Sequence, residues 1–342
     1  MREEKGLYRV VATGDSLAPE AMKILEGTCR VVFAGPYPDP SKLAELLRLE
    51  GAQGLILRTG RVTAEVLRAS PALKVVAKHG VGVDSIDVPA ATAARIPVLI
   101  SATANFQSVA EHTLGLMLCL AKDIPRMDGR MRQGFWDKTQ YRGTELFRKT
   151  LGLVGFGEIG RRLSQLVAPL QMRVLIFDPY VPPESMPPGI ERMSSLEPLL
   201  EEADIVSLHC PLTEKTRNLI GKKELRRMKK TSFLINTARG GIVDEEALIA
   251  ALREGEIAGA GIDTFRKEPP DDLRQLCEAG KLVLTPHIAA ATHEAVARMG
   301  IEAARNILAV LENREPDRRT LVNPEVLGRK NEGDLSRSNP AV

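Results

Sequence analysis

Cysteine is scarce in this chain and never closely paired. Cys29, Cys119, Cys210 and Cys277 lie far apart, and no C-x-x-C spacing occurs. The pattern supports neither a disulfide framework nor a zinc centre, so no metal site is expected. Cys119 and Cys210 fall in apolar runs and are expected in the core. Net charge is nearly absent too: 47 Lys and Arg against 44 Asp and Glu leave +3. The basic residues are scattered among acidic ones instead of gathering on one face, which argues against a nucleic-acid partner. A small group at Arg226, Arg227, Lys229 and Lys230 reads as a solvated helix face. Long apolar runs are missing as well. The longest, such as 114–121, are too short to span a bilayer, so no membrane partner is expected. The opening Met-Arg-Glu-Glu-Lys lacks the apolar core of a secretory leader. A reducing cytoplasm is the expected compartment.

What is present is a chain of 342 residues, 44% hydrophobic, long enough for two domains with their own cores. Short apolar runs alternate with helical patterns, the rhythm of βαβ units and a parallel sheet. Strands are expected at 8–12, 30–33, 54–57, 74–77 and 98–100, with helices between them at 41–49 and 63–68. Ser41 and Thr63 are the expected N-caps of those helices. A second series of six strands is expected at 151–154, 174–177, 205–208, 233–236, 260–263 and 283–284. Long helices are expected at 108–121 and 292–311, where the chain passes from one series to the other and back.

The expected fold is therefore α/β: two Rossmann-like, doubly wound parallel-sheet domains with the active site in the cleft between them. Residues 1–107 with 300–330 form a substrate-binding, flavodoxin-like domain, and 108–299 a dinucleotide-binding Rossmann domain. Residues 331–342 are polar and aperiodic and read as a disordered tail. No regulatory amino-acid-binding domain is expected after the second domain.

Gly155-Phe-Gly157-Glu-Ile-Gly160 follows an apolar strand and opens a helix. The first glycine suits a tight turn, the second a close approach of backbone to pyrophosphate, and the third tight helix–strand packing. Phosphates would then rest on the helix N-terminus. With 28 glycines in the chain the motif alone is a weak sign. It gains force because the next strand ends in Asp178, an acid placed to accept from the ribose diol of NAD and to repel a 2′-phosphate.

Reduction of a 2-keto acid needs a cation for the carboxylate and an acid for the carbonyl oxygen. It also needs a group that holds that acid in place. Arginine matches a carboxylate with its planar fork, histidine titrates near neutrality, and a neighbouring carboxylate orients the imidazole and favours its cation. Arg239, Glu268 and His287 each come just after the C-terminal end of an expected strand, where open α/β sheets bind ligands. The chain therefore reads as an oxidoreductase that moves a hydride between NAD(H) and C2 of a small 2-keto or 2-hydroxy acid.

Taken together, these motifs resemble a known family. Gly155–Gly160, Asp178, Asn236-Thr-Ala-Arg239-Gly-Gly, Asp263-Thr-Phe-Arg-Lys-Glu268-Pro-Pro and Pro286-His287-Ile-Ala-Ala are similar to the D-isomer-specific 2-hydroxyacid dehydrogenases. That family includes phosphoglycerate dehydrogenase, glyoxylate/hydroxypyruvate reductase and D-lactate dehydrogenase. The resemblance implies that Arg239, Glu268 and His287 are the catalytic trio. It places Glu158, Ile159, Thr237, Ala238, Arg239, Asp263, His287 and Ala289 on the cofactor, with the glycines and Asp178. It also implies that Gly80-Val81-Gly82-Val83-Asp84 binds the substrate carboxylate through backbone N–H groups, with Lys78 and Asn105 as further substrate contacts.

Lys78 stands where phosphoglycerate enzymes typically carry arginine, and Phe106 and Gln107 depart from them, so a phosphorylated substrate stays open. By the same resemblance a homodimer is expected, packed around 108–121 and the aromatic-bearing segment 126–148. His112, His209 and His293 are expected to be structural, and Trp136 to pack between domains. The alternative is a NAD-sensing corepressor-like binding protein of the same fold.

Overall fold

The computed structural model describes residues 6–327. The first half of the chain runs β1 (Tyr8–Ala12), α1 (Pro19–Leu25), β2 (Cys29–Phe33), α2 (Pro40–Glu50), β3 (Gly54–Leu57), α3 (Ala64–Arg68), β4 (Val75–Lys78), α4 (Val88–Ala93), β5 (Val98–Leu99), α5 (Phe106–Lys122) and α6 (Ile124–Arg132). It continues with β6 (Thr150–Val154), α7 (Glu158–Val167), β7 (Arg173–Phe177), β8 (Ile190–Arg192), α8 (Leu196–Glu202), β9 (Ile205–Leu208), α9 (Lys222–Arg227) and β10 (Phe233–Asn236). Last come α10 (Glu245–Arg253), β11 (Gly259–Ile262), α11 (Leu273–Cys277), β12 (Leu282–Leu284) and α12 (His293–Leu311).

Local chemistry explains most of these boundaries. Side-chain oxygens of Thr63, Asp87, Asp244 and Thr292 accept the backbone N–H three residues on and so start α3, α4, α10 and α12. The expected cap at Ser41 is corrected to Asp39. Pro40 pre-sets the first helical residue, and Asp39 Oδ1 accepts the Ser41 N–H at 2.8 Å.

The chain divides into two compact units, one reaching to Asn105 and resuming at Thr292, the other Phe106–Ala291. The sequence reading placed these divisions at 107/108 and 299/300. Residues 292–299 fall in the first unit: Ser101 Oγ donates to the Met299 carbonyl at 3.0 Å, and Gly300 backs onto Ala21 of α1. The expected tail at 331–342 lies outside the described residues.

The first unit holds a five-stranded parallel sheet of order β2-β1-β3-β4-β5, the flavodoxin-like winding. One face packs against Ala21 and Leu25 of α1 and Ala303, Ile307 and Leu311 of α12. The other packs against Leu43 and Leu47 of α2, Val66 and Leu67 of α3 and Ala91 of α4.

The second unit holds a seven-stranded parallel sheet of order β12-β11-β10-β9-β6-β7-β8. Strand β6 pairs with β7 on one side and β9 on the other. Chain order therefore reverses at β6, and a crevice opens beyond its C-terminal end. Leu116, Met117 and Leu120 of α5 and Leu163 and Val167 of α7 cover one face. Leu199, Leu200, Leu225, Leu248 and Leu252 cover the other. Each such leucine stabilises its sheet by roughly 1.5–3 kcal/mol relative to exposure.

Six strands were expected here, and β8 is the seventh. Ile-Glu-Arg at the sheet edge pairs with β7 alone among the described strands and buries little, so it carries no apolar run to be read. The basic group near α9 is solvated and ion-paired, Arg226 with Glu256, Arg227 with Glu201 and Lys229 with Asp204. Of the two cysteines expected in the core, Cys119 and Cys210, both are only partly buried. Among the described residues no helix is long and apolar enough to cross a membrane.

Candidate active site

The glycine loop follows β6. Gly155 has φ +95°, and a Cβ there would stand 2.8 Å from the Cys210 nitrogen, so only glycine lets this turn pass against β9's end. A Cβ on Gly160 would stand 2.7 Å from the Gly155 carbonyl oxygen, which is the tight helix–strand packing expected of the third glycine. At Gly157 a Cβ would meet nothing within 4 Å. Gly157 is also the N-cap of α7 and supplies no side-chain cap. Glu158 and Ile159 follow it into the first turn of the helix. The loop thus offers open backbone and uncapped N–H groups where a diphosphate would lie, which fits a dinucleotide.

Asp178 ends the next strand and is tied to this loop. Its Oδ2 accepts the Phe156 N–H at 2.8 Å, and its Oδ1 accepts the Tyr180 N–H at 2.9 Å. Each oxygen keeps a lone pair for a ribose hydroxyl.

The three predicted chemical groups come from the loops after β10, β11 and β12. His287 Nδ1 lies 2.7 Å from Glu268 Oε2. Glu268 Oε1 accepts the Phe265 N–H at 3.1 Å, which fixes the carboxylate from its other side. Burial works against ionisation of Glu268. The hydrogen bonds from His287 and Phe265, with the charges of His287 and Arg239 nearby, outweigh it and hold the carboxyl below its usual range. An ionised carboxylate only accepts, so Nδ1 carries the hydrogen and Nε2 is the atom through which a proton can pass.

Arg239 is held by its own turn. Asn236 Nδ2 donates to the Arg239 carbonyl at 2.8 Å, and Asn236 Oδ1 accepts the Ala238 N–H at 3.1 Å. Gly240 next to it has no room for a side chain: a Cβ would fall 1.9 Å from the Phe265 carbonyl carbon. That contact brings the Arg239 turn against the segment leading to Glu268.

Thr237 and Asp263, assigned to the cofactor by resemblance, are buried and bonded within the protein. Thr237 Oγ1 lies 2.9 Å from Thr113 Oγ1. The Asp263 carboxylate is fully buried and accepts from Thr285 Oγ1 at 2.6 Å, Ile288 N at 2.9 Å and Ala289 N at 2.9 Å. The His287 N–H goes to the Asp263 carbonyl at 2.8 Å.

Lys78, Val81, Gly82 and Asn105 belong to the first unit. Lys78 ends β4, and its Nζ donates to the Arg58 carbonyl at 3.0 Å. Val81 is exposed, after Gly80 at φ +139°. Burial, with the Arg58 and Lys78 charges nearby, pushes the His79 imidazole down to about 4, and its Nε2 has no hydrogen-bond partner among the described residues. Arg58 escaped the sequence reading. Its only signal was a position just past β3, an ordinary place for a surface arginine. Trp136, expected to pack between domains, is 72% exposed.

Comparison with known proteins follows the same lines. Residues 114–289 match the model of the D-isomer specific 2-hydroxyacid dehydrogenase, NAD binding domain. The chain is 42% identical over 320 residues to a glyoxylate reductase of Thermofilum pendens, covering 91% of this chain and 94% of that one. It is 40% identical over 309 residues to a D-3-phosphoglycerate dehydrogenase of Methanocaldococcus jannaschii, covering 89% of this chain but 58% of that protein. This chain thus spans little more than half the length of that relative. Among solved structures, the TT0316 protein of Thermus thermophilus superposes with a TM-score of 0.84 at 36% identity, covering 92% of this chain and 99% of that one.

Proposed function

Because the chain belongs to the D-isomer-specific 2-hydroxyacid dehydrogenases, its second unit carrying their NAD-binding domain, we propose that it reduces a small 2-keto acid to the D-2-hydroxy acid with NADH. The observation that carries this reading is the 2.7 Å bond between His287 Nδ1 and Glu268 Oε2, in the same unit as Arg239 and the glycine loop. Arg239 pairs with the substrate carboxylate. NADH, when bound, supplies the hydride to C2. His287 gives the proton on Nε2 to the carbonyl oxygen, which becomes the alcohol, and Glu268 stabilises the imidazolium before that transfer. In the oxidative direction His287 takes the proton back.

Gly155, Gly157, Glu158, Ile159, Gly160 and Asp178 are the proposed cofactor contacts, with Thr237, Ala238 and Ala289 beyond them. Asp178 directs the preference to NADH over NADPH, since its carboxylate repels a 2′-phosphate. Lys78, Val81, Gly82 and Asn105 are the proposed substrate contacts in the first unit, with Arg58 added beside Lys78. Relatives named for phosphoglycerate, glyoxylate and hydroxypyruvate bound the substrate class. Their names lend the corepressor alternative no support. Four free cysteines accord with a cytoplasmic setting.

A homodimer is part of the proposal. Helix α6 buries none of its residues, and Ile124, Met131, Phe135, Trp136 and Phe147 stand exposed in one stretch of chain, as a second copy would cover them. Light scattering of a monomer at micromolar concentration overturns it. The reaction itself is tested with NADH against glyoxylate, hydroxypyruvate, phosphohydroxypyruvate, pyruvate and a branched 2-keto acid. Oxidation of NADH by at least one is expected, and no turnover with any of them overturns the reading.

A further inference from the structure

Within the loop that carries His287, the backbone bonds run from the His287 N–H to the Thr285 carbonyl at 3.1 Å and from the Ala291 N–H to the Ile288 carbonyl at 2.8 Å. Asp263 supplies the other anchors: its carbonyl accepts the His287 N–H at 2.8 Å, and its carboxylate accepts the Ile288 and Ala289 N–H groups. The position of the acid/base therefore depends on how firmly the Asp263 carboxylate is held. Thr285 Oγ1 reaches that carboxylate at 2.6 Å. A hydroxyl has one proton, and an ionised carboxylate accepts only. The Thr285 proton is therefore spent on Asp263.

His112 Nε2 lies 3.0 Å from the same Thr285 oxygen and 3.7 Å from Asp263 Oδ1. With the hydroxyl proton already committed, Nε2 must be the donor in this pair. His112 is thereby fixed as the Nε2–H tautomer or the cation. Either state places a positive hydrogen against the threonine oxygen and strengthens the bond that oxygen makes to Asp263.

The rest of α5 supports the same task. Ser108 is one turn before His112 on the same helix face, and its Oγ donates to the Ala289 carbonyl at 2.6 Å. Thr113 meets Thr237 in the turn before Arg239. Helix α5 thus bonds, within two turns, to the loop of Arg239 and to both sides of the loop of His287.

We infer that His112 is a positioning residue, which acts through Thr285 and Asp263 to hold the His287 loop for proton transfer. It touches neither substrate nor cofactor in this role. The inference rests on the proposed reductase reading, so its test needs a measurement apart from turnover.

The variants are His112→Ala, His112→Gln, Thr285→Val and the double His112→Ala/Thr285→Val. Glutamine keeps a donor at nearly the reach of Nε2. Amide hydrogen exchange reports on the Ile288 and Ala289 N–H groups, and steady-state kinetics on kcat and KM. One hydrogen bond of ordinary strength is lost, so His112→Ala should speed those two exchanges and lower kcat by about three- to tenfold. KM should stay within about twofold, because Arg239 and the proposed substrate contacts of the first unit lie outside this loop. His112→Gln should recover most of the loss. Thr285→Val should lose at least as much alone, and the double variant no more, since both remove one chain of bonds.

Unchanged exchange in His112→Ala overturns the inference, as does faster exchange with unchanged kcat. A glutamine variant no better than alanine does the same, and so do fully additive losses. If His112→Ala does not fold, His112→Gln and Thr285→Val carry the same comparison. If the unmodified protein reduces no 2-keto acid, the proposed reaction falls, and the exchange data still decide whether His112 holds the loop.

Discussion

His79 and His287 occupy matching places in the two units, each just beyond the C-terminal end of a parallel strand. Their surroundings differ in kind. His79 is buried beside Arg58 and Lys78, has no partner at Nε2 among the described residues and is driven neutral, down to about 4. His287 is 46% exposed at its side chain and bonded through Nδ1 to the Glu268 carboxylate. Place at the end of a sheet brings a side chain to where ligands bind. The carboxylate partner is what turns an imidazole into a proton donor.

Several experiments would break or sharpen that contrast. The largest effect is expected at His287. Its replacement by Ala should lower kcat for 2-keto acid reduction by about 10²–10⁴-fold at every pH. NADH binding, followed by nucleotide fluorescence, should remain. A near-full rate in His287→Ala would mean that the acid/base lies elsewhere.

His79 should show itself in stability instead. Its folded form resists protonation down to about 4, while the unfolded chain binds a proton near 6.5. Between those values the unfolded state holds more protons, so stability falls as pH drops from about 6.5 towards 4. The loss from this group reaches at most about 3 kcal/mol. His79→Asn should flatten the dependence of the thermal midpoint over that window, whatever it does to the midpoint itself. An unaltered slope would refute the buried neutral state.

Next in size is Glu268→Gln, which keeps shape and one hydrogen bond but removes the charge. Glu268 is held below its usual range, so it stays ionised through mildly acid and neutral pH. Reduction near neutrality should drop by about 10–100-fold in the variant, and its reductive limb should move to lower pH. A pH–rate profile that overlays the unmodified one would show that Glu268 does not tune the acid.

The smallest effect is expected at Lys78, next to His79. If it grips a substrate phosphate, Lys78→Ala should slow phosphohydroxypyruvate reduction about tenfold more than glyoxylate reduction, as loss of one charge-assisted contact would. Equal losses in kcat/KM on both acids would remove the phosphate role.

Legibility in the sequence followed the range of the physics. The glycine loop, Asp178 and the cap at Thr63 are local features, set by turn sterics and N–H groups a few residues away, and they were readable in place. The edge strand β8 was not, because Ile-Glu-Arg gains its conformation from pairing with β7 and has no apolar pattern of its own. The cap at Ser41 moved to Asp39 because Pro40 set the helix start. Arg58 was passed over, and His112 was read as structural with no partner assigned, because their partners, Lys78 in one case and Thr285 with Asp263 in the other, are distant in the chain.

The sequence alone determined that the chain alternates strand and helix, that glycines open a phosphate-sized turn, and that Arg239, Glu268 and His287 follow strand ends. Periodicity and turn chemistry act over a few residues and survive without a fold. Only the tertiary structure decided that Glu268 meets Nδ1 of His287, that Gly240 is pressed against Phe265, and that the Asp263 carboxylate holds the His287 loop instead of standing open. Those outcomes require β10, β11 and β12 to lie side by side in one parallel sheet. Side-chain chemistry states which groups would pair, and only the packed sheet sets the ångström distances at which a hydrogen bond forms or fails.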